Sequence, residues 1–159
     1  MPPSNSVRDR IVDDLVVAME AIAAGASYHY TIAQVFRWKT PPAGGLEFPS
    51  VVVADLDERV AVLNYALDDR TLSLTVQAIG NAGAYEGGTD GPDDVARKML
   101  ADLQVAAQVD TTRGGLAIVT NETANRIAVD EPAEPFVVVE VDFEVQYRTK
   151  RGDPTVPNA

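Results

Sequence analysis

The sequence contains no cysteine. That one absence excludes disulfides, thiolate catalysis, zinc knuckles and iron–sulfur ligation. Histidine occurs once, as His29 between Tyr28 and Tyr30, and a lone imidazole without further ligands reads as a packed or solvated side chain. Basic residues are scarce, 13 against 24 acidic, for a formal net charge of −11. Tight binding of nucleic acid needs a basic footprint to neutralise phosphates, so it is not expected. No apolar run approaches the roughly 18 residues of a membrane span. The N-terminal MPPSNSVRDR lacks the apolar centre of a signal peptide, so neither membrane insertion nor export is expected.

Catalytic motifs are missing as well. The glycine-rich stretch 80–91 follows a strand pattern and precedes a helix pattern, but it has no G-K-[ST] and no true G-x-G-x-x-G. No G-x-S-x-G occurs, and the acids Asp90, Asp93 and Asp94 lack calcium-loop spacing and suit the start of a helix better. No catalytic, cofactor-binding or metal residue is therefore expected, and the chain reads as a non-enzyme.

What is present begins with Phe136 to Arg148, FVVVEVDFEVQYR. Val137, Val139, Val141, Phe143, Val145 and Tyr147 alternate with residues that include Glu140, Asp142 and Glu144. Period-two alternation means a strand with one apolar and one charged face. Thirteen residues at about 3.4 Å each reach roughly 44 Å, far beyond an ordinary strand. The apolar face predicts the floor for both helices, and the three carboxylates predict a solvent-facing strip.

The 159 residues suit one domain over 7–149, after a polar leader over 1–6 and before an aperiodic, flexible tail over 150–159. Ser6 and Asp9 predict a capped helix with an apolar stripe through Val7, Ile11, Leu15, Met19 and Ile22, running over 7–24 and stopped at Gly25. Thr31–Trp38 predicts a first strand. The segment 39–48, KTPPAGGLEF, predicts an irregular excursion flanked by Trp38, Leu46 and Phe48. Strands over 50–56, 59–65 and 70–79, with a tight turn at Asp55–Glu58, predict an antiparallel meander. Pro92 opens a second helix over 92–108. Two short runs, 116–119 and 126–129, around a polar NETAN turn predict a hairpin or an edge pair. The fold class expected is α+β, a mostly antiparallel sheet with two helices packed on one face.

This order of elements resembles the tail terminator (tail completion) proteins of long-tailed bacteriophages, the lambda-like minor tail family. The resemblance is carried by Arg8 to Ala24, by FPSVVVADLDE at 48–58, by RTLSLTVQAIG at 70–80, by helix 92–108 leading to GGLAIV at 114–119, and by VEVDFEVQYRTKRGDP at 139–154. It implies a structural virion protein: a homohexameric ring that caps the tail tube, stops its polymerisation and joins the tail to the head or neck. DNA would pass through the lumen without tight binding. Partners would be further copies, the tail tube protein and the head–tail connector. Assembly would take place in the host cytoplasm. On this reading Trp38, Leu46, Phe48 and, in the glycine-rich loop, Tyr85 are interface candidates, and Glu140, Asp142 and Glu144 face lumen or solvent. The alternatives are another head–tail joining protein, or a small α+β domain that holds an apolar ligand between sheet and helices and has no virion role.

Overall fold

A computed structural model describes residues 5–38, 45, 47–81, 91–130 and 136–158. Among them are two helices, α1 (Val7–Glu20) and α2 (Pro92–Gln108), and six strands: β1 (Gln34–Arg37), β2 (Ser50–Val62), β3 (Leu67–Asn81), β4 (Val119–Asp130), β5 (Phe136–Lys150) and β6 (Asp153–Pro157). The strands form one sheet in the order β1-β2-β3-β5-β4, with β6 paired to the end of β5. All described strand pairs are antiparallel except β1 with β2. The α+β class holds.

The long C-terminal strand is second from the sheet's edge, and β3 is matched to it over its whole length, from Leu67 opposite Lys150 to Asn81 opposite Phe136. Its apolar set, Val137 through Tyr147, is at most 1% exposed. The helices cover this face and touch each other. They divide it: α2 lies on β3, β4 and β5, whereas α1 lies over β1 and β2 and reaches β6. Only α2 thus has β5 as its main floor. In α1 the Ser6 hydroxyl accepts the Asp9 N–H at 3.1 Å, the expected cap. In α2 Gly91 is the N-cap and Pro92 enters the first turn, where its missing N–H costs nothing.

Several expected elements differ, each for an identifiable reason. The first helix ends at Glu20, not 24; the Ile22 N–H tightens onto the Met19 carbonyl at 3.2 Å, so Ile22 stays buried in a turn. The first strand shortens to Gln34–Arg37; at its C-terminal end Trp38 takes φ 49° and turns the chain aside. The meander is in fact a single hairpin. Asp55–Glu58 is no turn but a β-bulge within β2, where Leu56 and Asp57 together oppose Ser73. The segment has no Gly or Asn to take the positive φ of a two-residue hairpin turn, and its two flanking carboxylates find partners within the fold. The chain reverses at Leu63–Ala66 instead, where Asn64 Oδ1 accepts the N–H groups of Ala66 (2.8 Å) and Leu67 (2.9 Å). NETAN likewise runs straight through β4 with a bulge between Glu122 and Ala124, because the fifteen-residue β5 offers a template for the whole strand. The tail expected to be flexible turns at Gly152, φ 76°, and returns as β6.

Candidate assembly surfaces

Alternation places Glu140, Asp142 and Glu144 together on the helix-free face of β5, as expected. Each finds a cross-strand partner there. Glu140 accepts from Gln77 Nε2 (2.9 Å) and Arg126 Nε (2.8 Å). Asp142 accepts from Thr75 Oγ1 (2.7 Å) and pairs with Arg126 Nη2 (3.1 Å). Glu144 pairs with Arg59 Nη2 at 3.0 Å. The row is therefore a ladder of carboxylates crossed by two guanidinium groups. Exposed pairs of this kind contribute at most about 1 kcal/mol each, so the ladder sets charge distribution more than stability. Two open depressions mark this face. One of about 300 Å³ lies among Thr75, Arg126, Asp142 and Glu144. The other, about 420 Å³, lies among Arg126, Ala128, Val138 and Glu140. Among the described residues no group of three or more His, Cys, Asp or Glu is placed to hold a metal ion.

The two interface candidates among the described residues, Trp38 and Phe48, are not brought together. Trp38 directly follows β1 and is 59% exposed, yet it is pinned: Nε1 donates to Asp55 Oδ1 at 2.8 Å and to the Asp55 carbonyl at 3.1 Å. Arg8 meets the same carboxylate at 2.6 Å. Burial alone would raise the Asp55 carboxyl, but the hydrogen bonds from Arg8 and Trp38 outweigh it and hold the group below its ordinary range. Phe48 is half-buried near the opposite end of the sheet, its ring 5.6 Å from that of Phe136. It reads as an anchor of its own loop. Leu46 and Tyr85 lie outside the described residues.

Three further features had no name at the level of sequence. The bulge in β2 switches which residues point toward the helices, so Glu58 turns inward and receives the Tyr147 hydroxyl and Arg70 Nη1 (2.7 Å). Arg70 Nε also donates to Thr149 Oγ1 at 2.9 Å. Burial, followed by the bond to Glu58, pushes the Tyr147 phenol well above its usual value. Second, Asp102 stands in the apolar stripe of α2 with its side chain 3% exposed. It accepts the N–H groups of His29 (2.9 and 3.0 Å) and Tyr30 (2.9 Å), and it holds His29 Nδ1 at 2.8 Å. His29 is thus held at the surface, half-exposed. An acid three residues after Met99 on a buried stripe was the available signal.

The third feature is apolar. Val60 and Val62 point to the helix side of β2 but are 52% and 61% exposed, and Tyr65 at the hairpin tip is 92% exposed. The helix-side face of β2 is thus open beyond Glu58 while Asp68, Tyr147 and Thr149 at the same level on β3 and β5 are buried, a difference that strand alternation cannot disclose.

No protein-family model matches the chain, and no curated protein matches it.

Proposed function

We propose that this chain is a structural ring subunit of a phage tail, a tail terminator that caps the tube and joins it to the neck. The reading starts from the resemblance of the segments at 8–24, 48–58, 70–80, 92–119 and 139–154. The observation that carries it furthest is the division of the sheet into two unlike faces. One is covered by both helices over most of its extent; the other carries no helix among the described residues and is crossed by the Glu140–Asp142–Glu144 ladder. A subunit that borders an open passage needs such a face. Paired carboxylates on a chain of net charge −11 offer phosphates nothing to hold, which suits DNA in transit. In this role the protein acts in the virion, at the head-proximal end of the tail, as a homohexamer contacting the tube and the connector, and it has no catalytic task.

Electron microscopy and light scattering of the purified protein at high concentration, alone and with a tail tube protein, test the proposal. Rings, or a defined cap on tube ends that halts their growth, are expected. A strict monomer that leaves tube length unchanged under all conditions would falsify it.

A further inference from the structure

We infer that subunits of the ring join sheet edge to sheet edge, β4 of one copy adding to the uncovered half of β2 in the next; the inference rests on the ring reading above. β2 is thirteen residues long, yet β1 pairs only with Ser50–Val53. From Ala54 to Val62 no strand among the described residues lies on that side of it. The Asp55 and Leu56 carbonyls are occupied by Trp38 Nε1 and Arg8 Nη2 (3.2 Å). At the other end of the sheet β4 is outermost, with twelve residues and no strand among the described residues on its outer side. Open edges are rows of N–H and C=O groups that pair with an arriving strand.

Two observations make a second copy the occupant. The first is direction. β2, β3, β5 and β4 alternate in sense, so β4 runs opposite to β2. A copy rotated about a ring axis without being turned over presents β4 to β2 antiparallel, the pairing used throughout the sheet's interior. The second is chemistry. Val60 and Val62 on β2 face the helix side with half or more of their surface open, and Ile127 on β4 faces that same side and is 43% exposed. The joint brings these apolar side chains onto one face, where they cover one another. The two edges are different surfaces, so the contact is head to tail and repeats from copy to copy instead of ending at a dimer, giving a ring where the rotation closes. Ile127 stands level with Val51 across the sheet, through Val139 and Ala78, and Val60 lies nine residues further along β2. Joining them sets the strands oblique to the ring axis, as closure of a sheet requires. Trp38, where β1 stops, then stands beside the end of the incoming strand.

A chain without cysteine lets paired substitutions read this joint. Ile127→Cys in one chain is mixed with Val60→Cys or Val62→Cys in another, under ring-forming conditions and mild oxidation. Neither variant alone should give a disulfide dimer. At least one mixture should, and the doubly substituted chain should give a ladder of covalent oligomers. Ile127→Cys mixed with Arg59→Cys, on the opposite face, should not cross-link. Hydrogen exchange of the unmodified protein should slow at 54–62 and 119–130 on assembly. Rings that show neither cross-links nor this protection overturn the edge joint and leave the ring reading standing. Self-cross-linking of Ile127→Cys alone overturns the joint in favour of a two-fold contact. No assembly, even with tube protein, overturns both.

Discussion

Asp102 and Asp55 are single carboxylates that hold separate segments in place. Asp102 receives two backbone N–H groups and one imidazole nitrogen from a segment 72 and 73 residues away in sequence. Its removal leaves those donors without an acceptor, at roughly 1–3 kcal/mol for each buried group left unsatisfied. Asp102→Ala is expected to cost about 2–4 kcal/mol in urea denaturation, and Asp102→Asn, which keeps one acceptor oxygen, about half of that. Asp55 makes a pH-dependent contribution. Its folded pKa is depressed, so its stabilisation is fully present above the unfolded value near 4 and is lost as pH falls through the lower folded value. Asp55→Asn should therefore lie below the wild type in stability at pH 7. The gap should close as pH drops below about 4. A constant gap from pH 7 to pH 2 would show that the carboxylate charge is not what matters.

The bulge in β2 shows how one element can change the meaning of a pattern. With regular pairing throughout, Asp57 and Arg59 would point at the helices; with the bulge, Glu58, Val60 and Val62 do. Glu58 then becomes the centre of a nearly buried cluster with Arg70 and Tyr147, whose side chains are 12%, 16% and at most 1% exposed. Taking out the shared acceptor strands a guanidinium and a phenol together, so Glu58→Ala is expected to cost about 3 kcal/mol. Tyr147→Phe leaves the Glu58–Arg70 pair intact and should cost only about 1 kcal/mol. A double-mutant cycle in denaturant measures the coupling, and additive losses would show that the three groups do not act together. The same strand leaves the two valines open on its helix side, and Tyr65 open at the hairpin tip.

Across the whole molecule, net charge opposes assembly. Every copy carries −11, and same-sign subunits repel over the Debye length of about 10 Å at 0.1 M salt. If apolar edges and backbone pairing join the copies, ring formation should strengthen as NaCl rises from about 0.05 to 0.5 M. Sedimentation velocity would follow it, and weakening over that range would point to ion pairs between subunits as the main contact. Trp38 tests whether its site is core or the proposed interface. It is largely exposed, so Trp38→Ala should reduce assembly while shifting the thermal transition by no more than loss of the Asp55 bonds explains, on the order of 1 kcal/mol. A larger loss would make it a packing residue.

The alternation in Phe136–Arg148 determined a strand with one buried and one polar face, because period two admits no other regular structure. The stripe from Val7 to Met19 and the Gly91-Pro92 start determined both helices, and with them the α+β class. These signals are local, and local sterics and amphipathicity suffice for them. What tertiary structure decided was pairing. Whether Asp55–Glu58 turns or bulges, whether NETAN reverses or runs straight, and whether the last residues return to the sheet all depend on partners distant in sequence: Arg8, Arg70, Tyr147 and the length of β5. The carboxylate row was legible as a row. Its guanidinium partners were not, since Arg59 and Arg126 reach it from strands 85 and 14 residues away. The open valines of β2 were invisible for a further reason: an alternating strand promises a buried face, and only the extent of the helices above it decides where that face ends.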